Sequence, residues 1–248
     1  SCGRWGLIVS VPYEKPHKKY FSKGQYFPSR PALFGILTID GEELLTPEYQ
    51  GINALSDECL VVKKDGKKGV MDRTLKMVVP CQYAEVKPFG EIGYKVKKGI
   101  NEPSFDGRAD KEEVFHGFLW GILSRTGEEL VAPKYEEIGD TWDGYFAVKL
   151  NGKYGVLDFD FSTIIPFEYD YVRPWGHYGF LVRLDCVEEV VRSSSSKLHP
   201  KRTWTEKYQY SLWGVVSIDN KILLEPQYRD MKVLIDDYLV VKKNGKRG

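Results

Sequence analysis

The chain has 248 residues, with 36 basic against 35 acidic side chains and a net charge near +1. That balance offers no global field to nucleic acid or an anionic membrane, no apolar run approaches the ~20 residues a spanning helix needs, and no signal-peptide pattern opens the chain. The four cysteines have spacings that suit neither a disulfide framework nor a thiolate metal site, so Cys59 and Cys81 read as small apolar substitutes in core slots.

Residues 1–10 read as the last strand of a preceding repeat, because Gly6-Leu7-Ile8-Val9 matches Gly179-Phe180-Leu181-Val182. Residues 11–33 form insertion loop 1, rich in Pro, Tyr and Lys and net basic. Repeat pair 1 follows at 34–97, insertion loop 2 at 98–119 and repeat pair 2 at 120–183. Insertion loop 3 covers 184–212, with Ser193 to Ser196 read as a flexible tip. Residues 213–248 hold the fifth repeat and the start of a truncated sixth. Both ends fall inside the pattern, which implies an excerpt from a longer array whose compartment is not written in it.

The repeat is explicit when Gly35, Gly69, Gly121, Gly155 and Gly214 are taken as position zero. Position +14 is then Tyr49, Tyr83, Tyr135, Tyr169 and Tyr228, and position +27 is Val62, Val96, Val148, Val182 and Val241. A gapless period of about 34 residues marks units that cannot bury their apolar face alone and must stack. Proline alternates between +12 (Pro47, Pro133, Pro226) and +11 (Pro80, Pro166), so units come in pairs. In the first kind, Asp65-Gly66, Asn151-Gly152 and Asn244-Gly245 predict tight type I′ hairpins into the next unit. In the second kind an insertion interrupts that hairpin.

The short β-branched runs predict an all-β fold: tandem antiparallel repeats of three short strands each, in an elongated solenoid or superhelical sheet. A propeller-like closed array is the alternative. An odd strand count would reverse each unit's direction, explain the pairing and bring all three insertions to one side. Glycine at zero, after a bulky residue, predicts a close backbone approach or a bulge. The +14 tyrosine predicts a buried ring with a hydroxyl that still finds a partner; the competing reading is a ladder of exposed stacking platforms.

The aromatic-Gly-Ile/Val-Leu head, the Asp-Gly turn, the Leu-x-Pro-x-Tyr segment and the Asn-Gly-Lys-x-Gly restart resemble the bacterial WG repeat. Trp120 and Trp213 are the tryptophans at the heads, with Phe34, Tyr154, Lys68 and Arg247 at the others. The resemblance implies a β-rich repeat region of a bacterial protein, suited to binding or assembly, with no catalytic residues to transfer.

The residues themselves propose little chemistry. His17, His116 and His199 lie in the insertions without the local spacing of a metal or acid–base site, and Glu42-Glu43 and Glu128-Glu129 recur at equivalent places as a solvated edge does. No cofactor or metal is expected, and no enzyme. The leading expectation is a scaffold that binds another protein through the insertions, with Tyr13, His17, Lys18, Lys19, Tyr20, Tyr26, Phe115, His116, Trp204 and Tyr208 as candidate contacts. A carbohydrate- or cell-wall-binding module using Trp142, Trp175 and Trp204 is the alternative. An enzyme with a composite site on the insertion face comes third.

Overall fold

The computed structural model describes residues 7–12, 32–101, 115–196, 199–235, 238–243 and 246–247. Every regular element among them is a β-strand, so none of them forms a helix able to cross a membrane. The chain divides into two compact units, Ser1–Tyr135 and Glu136–Gly248.

The first unit contains three antiparallel meanders. Sheet one is β1 (Leu7–Pro12), β2 (Ala32–Leu37) and β3 (Glu43–Tyr49). Sheet two is β4 (Gly51–Ala54), β5 (Cys59–Lys64), β6 (Lys67–Asp72) and β7 (Met77–Tyr83). Sheet three is β8 (Glu85–Phe89), β9 (Gly93–Asn101), β10 (Phe115–Ser124) and β11 (Glu129–Tyr135).

The second unit repeats the plan. Sheet four is β12 (Glu137–Trp142), β13 (Tyr145–Leu150), β14 (Lys153–Asp158) and β15 (Thr163–Tyr169). Sheet five is β16 (Tyr171–Trp175), β17 (Gly179–Ser196), β18 (His199–Val216) and β19 (Ile222–Tyr228). Sheet six is β20 (Asp230–Ile235), β21 (Tyr238–Lys243) and β22 (Lys246–Arg247).

The all-β, tandem antiparallel expectation is met, with one correction. Each sequence unit supplies four strands rather than three, because the connection after the +14 tyrosine holds a short strand of its own, Gly51–Ala54 in the first case. The even count removes the parity argument for paired units and for insertions gathered on one side. A sheet is also not a sequence unit: β4 and β5 come from the Gly35 unit, while β6 and β7 come from the Gly69 unit. Within each compact unit the residue after the tyrosine bridges consecutive sheets, its N–H donating to the +28 carbonyl, as in Gln50 to Lys63 at 2.7 Å and Asp170 to Arg183 at 2.8 Å.

The repeat glycines are dictated by space. In all five units the head residue pairs with the +14 tyrosine and position +1 with position +10, so three residues bulge opposite one glycine. A Cβ there would lie 2.4–2.7 Å from the +10 carbonyl oxygen in every copy. The +27 valine sits directly across the next strand from the glycine, as in Val62↔Gly69 and Val182↔Gly214. Val9↔Gly35 has the same register.

Apolar faces meet between consecutive sheets within each unit. Ile36 and Tyr49 of sheet one pack on Leu60 and Val62 of sheet two, whose Val70 and Val79 face Val86 and Val96 of sheet three. In β17, Phe180 and Val182 face sheet four while the intervening Leu181 faces sheet six, and all three are buried. A strand covered on both sides has no polar face to alternate with, hence the continuous run FLV. Each such side chain contributes roughly 1.5–3 kcal/mol by leaving water. The tyrosines at 49, 83, 135 and 169 are about 95 % buried and Tyr228 is half-buried, so they belong to the core rather than to an exposed ladder. The Tyr83 hydroxyl accepts from Gln82 Nε2 at 3.1 Å. Burial, helped by Glu48, pushes the Tyr49 phenol up to about 12.

Two turn types set the register. Asp65-Gly66 and Asn151-Gly152 have positive φ at both residues, the type I′ pattern expected; Asn244-Gly245 lies outside the described residues. The turn between the first two strands of each unit is a four- or five-residue loop with a left-handed residue at +6: Gly41, Leu75, Gly127, Phe161 and Asn220. The side chain at +3 (Thr38, Asp72, Ser124, Asp158 or Ser217) accepts from the +7 N–H at 2.8–3.1 Å in all five. Leu75 accepts its unfavourable conformation, about 1–2 kcal/mol for an L-residue, while packing on the core between sheets one and two.

Candidate functional site

Sheet five carries the one inserted segment that the structure describes almost throughout. Of residues 184–212, the described ones lie in strands, Ser193–Ser196 included. They continue the ladder of β17 and β18 from Leu184↔Leu212 out to Ser194↔Arg202, with Ser193 opposite Thr203. The flanking strands stop early: β16 pairs only as far as Arg183, and β19 begins its pairing at Trp213. The result is a two-stranded ribbon with no partner strand on either outer edge among the described residues.

The base of the ribbon is held by charge-assisted bonds. Asp170 accepts from the Asp185 N–H at 2.8 Å and from Lys153 Nζ at 2.7 Å, and Ser211 Oγ donates to Asp185 at 2.6 Å. Burial opposes ionisation of Asp170, but the bonds from Asp185 and Lys153 outweigh it and hold its carboxyl below the usual range. Arg229 lies over the Tyr210 ring, 3.8 Å from its centroid. A shallow hollow of about 370 Å³ opens here beside Cys186 and Gln209.

Farther out, alternation sorts the side chains into two faces. One bears Arg192, Trp204, Glu206 and Tyr208, joined in a single network. Arg192 donates to Glu206 at 2.6 Å and to the Tyr208 hydroxyl at 2.9 Å, Trp204 Nε1 donates to Glu206 at 2.9 Å, and the Tyr208 hydroxyl also donates to Glu206. The Tyr208 hydroxyl, with Trp204 and Arg192, holds the Glu206 carboxyl at about 2. Trp204 and Tyr208 remain 44 % and 41 % exposed, so the network orders aromatic surface without covering it. The other face carries Val187 and Val191, both well exposed, with the Glu189–Lys207 pair between them.

Of the candidate contacts, Trp204 and Tyr208 are thus brought together on one face. Phe115 opens β10 opposite Asn101, and His116 falls in the irregularity that follows. Tyr13, His17, Lys18, Lys19, Tyr20 and Tyr26 lie outside the described residues. Among the described residues no group of three His, Cys, Asp or Glu is placed to hold a metal ion. Glu42, Glu43, Glu128 and Glu129 are exposed, as a solvated edge requires.

Sequence reading did not find Arg192 or Glu206. Their signal was present: Trp204, Glu206, Tyr208 and Tyr210 alternate through TWTEKYQY, the period of a strand. It also did not find the partners of the head aromatics. The +28 cation stands across the ladder from the next head and over its ring, Lys97 on Trp120 at 5.4 Å, Lys149 on Tyr154 at 5.5 Å and Arg183 on Trp213 at 5.6 Å.

Tandem antiparallel β-sheets built from one repeated unit, with aromatic surface on an inserted ribbon, define a β-repeat module of the kind used for interaction. A family model described as WG containing repeat matches residues 34–67, 69–94, 120–154, 154–182 and 213–246, more than half of the sequence. The chain belongs to that family. Neither the comparison with curated proteins nor that with solved structures returned a match.

Proposed function

We propose that the chain is a non-catalytic scaffold that recognises a protein partner through the segments inserted between its repeats, with the ribbon of β17 and β18 foremost. The observation that carries this reading is the ordered set Arg192–Trp204–Glu206–Tyr208 on a ribbon that leaves its own sheet. Tryptophan, tyrosine and arginine are the residue types that dominate interface energies, and fixing their rotamers beforehand lowers the entropy lost on binding. A solvated two-stranded ribbon is marginal alone, and a partner covering Val187 and Val191 would bury apolar surface that now faces water. Two free strand edges also invite β-augmentation.

The test is an in-register trim. Replacing residues 188–208 by Asn-Gly joins Val187 to Gln209, which already face each other, through a favoured hairpin turn. The expected result is an unchanged thermal transition together with loss of the partners recovered by crosslinking, reproduced by Trp204→Ala with Tyr208→Ala. Partners retained by both variants would count against the reading.

A further inference from the structure

A second constellation lies between sheets four and five, apart from the ribbon face. β12 and β16 are outer strands of their sheets, and a cleft of about 220 Å³ opens between them. Its cause is local and belongs to one repeat. At positions +18 and +26 the other units carry Asn53 with Val61, Lys87 with Lys95, Arg173 with Leu181 and Lys232 with Val240, whereas this unit has Gly139 with Ala147. The other four pairs stand directly across from each other, and this unit carries the smallest side chains at the two positions.

The walls are aromatic. Trp142 and Tyr145 stand at the two ends of the Asp143-Gly144 turn, their rings 6.5 Å apart and inclined by 34°. Phe180 meets both edge-on at 5.8 and 6.0 Å and so props them upright. Tyr154 and Tyr171, 6.0 Å apart, close the opposite side. Polar groups of both kinds line the same space. Tyr154 donates to Glu137 at 2.5 Å, which fixes that carboxylate as an acceptor. Arg173 Nε is buried and has no hydrogen-bond partner among the described residues. A buried donor without an acceptor is uncommon and asks what supplies one.

From the Gly139/Ala147 hollow, its ring walls, its oriented carboxylate and the unmatched Arg173 Nε, we infer that this cleft is a binding site for a single pyranose sugar ring. Its volume lies below the roughly 300–1,000 Å³ of drug-sized sites, which suits one ring rather than an extended chain. The C–H face of a pyranose is apolar and lies against an aromatic face. Its hydroxyls both donate and accept, so Glu137 accepts a hydrogen bond from a hydroxyl while Arg173 Nε donates to a ring or hydroxyl oxygen. A carboxylate on the sugar would be a stronger acceptor for Arg173, so neutral and uronic sugars share this chemistry and are separated by experiment.

The full chain would be titrated with methyl glucopyranoside, N-acetylglucosamine and glucuronate, following the Trp142 indole N–H resonance and saturation transfer to the sugar. At least one of the three is expected to shift that resonance with millimolar affinity. Preference for glucuronate, lost in Arg173→Gln, would assign the acidic sugar; equal response would assign the neutral ring. Ala147→Leu, which copies Leu181 of the following unit, should weaken binding at least tenfold with its thermal midpoint unchanged. Should that variant lose its cooperative transition, Trp142→Ala gives the same reading. Silence towards all three sugars in the folded chain, or wild-type binding by the filled variant, would overturn the inference. The ribbon variants Trp204→Ala and Tyr208→Ala should bind sugar normally, so failure here is distinct from failure of the protein-partner reading.

Discussion

Replacing Gly69 by alanine tests whether the repeat glycine answers a demand for space. The added Cβ would lie 2.4 Å from the Val79 carbonyl oxygen, 2.9 Å from Cys81 N and 3.0 Å from Cys81 Sγ, whereas ordinary contact begins at 3.4 Å. Two of the three atoms are backbone, so relief requires β6 and β7 to part by about 1 Å at the bulge. Overpacking of this kind costs typically 1–3 kcal/mol, and each weakened ladder bond adds about 1 kcal/mol. The parting strands also carry Val70 and Val79, both fully buried. The expected loss is therefore about 2–4 kcal/mol, read from guanidinium unfolding followed by far-ultraviolet circular dichroism. Gly51→Ala is the control, because nothing lies closer than 3.9 Å to its Cβ, and its cost should stay within about 0.5 kcal/mol. Equal costs for the two variants would refute the argument.

Ser124→Ala removes the acceptor for the Thr126 and Glu128 N–H groups and should cost about 0.5–1.5 kcal/mol, measured by the same unfolding curve. Asp170 has a depressed carboxyl, so its contribution is fully present above the unfolded value near 3.9 and disappears as pH falls through the lower folded value. Asp170→Asn should therefore lower stability at neutral pH and flatten the acid limb of the stability profile; an unchanged acid limb would exclude this role. Glu206, held at about 2, should keep the Trp204 indole N–H resonance constant as pH drops from 7 to about 3, with a shift only below that. Glu206→Gln should shift it at every pH.

The parts of this fold legible in the sequence are those where one position tolerates one residue type. Only glycine fits beneath the +10 carbonyl, only an aromatic ring with a hydroxyl fills the +14 slot, and Asp-Gly or Asn-Gly marks a type I′ turn. The short strand Gly51–Ala54 was missed because GINA is too brief to show a period. The +3 cap was missed because threonine, serine and aspartate do the same work there and share no single letter. The ribbon's strands were not legible because four serines have weak β-propensity, and the cross-strand partners that supply their ladder lie elsewhere in the sequence. The cleft between sheets four and five was hidden for a different reason. Trp142 was noticed as a ring, but its hollow is made by small residues at Gly139 and Ala147 and by Arg173 on another sheet, and burial between sheets cannot be read from a single strand.

The half-unit offset between sequence copy and sheet decides where such a chain can be divided or lengthened. A cut placed just before a glycine head splits a sheet, leaving two strands on each fragment with naked edges and exposed valines. A cut just after the tyrosine, as between Tyr135 and Glu136, severs the backbone where one meander has ended and the next has not begun. Recombination or fragment expression in that frame would deliver intact sheets, and shuffled arrays assembled from such pieces should fold where those joined at the heads would aggregate.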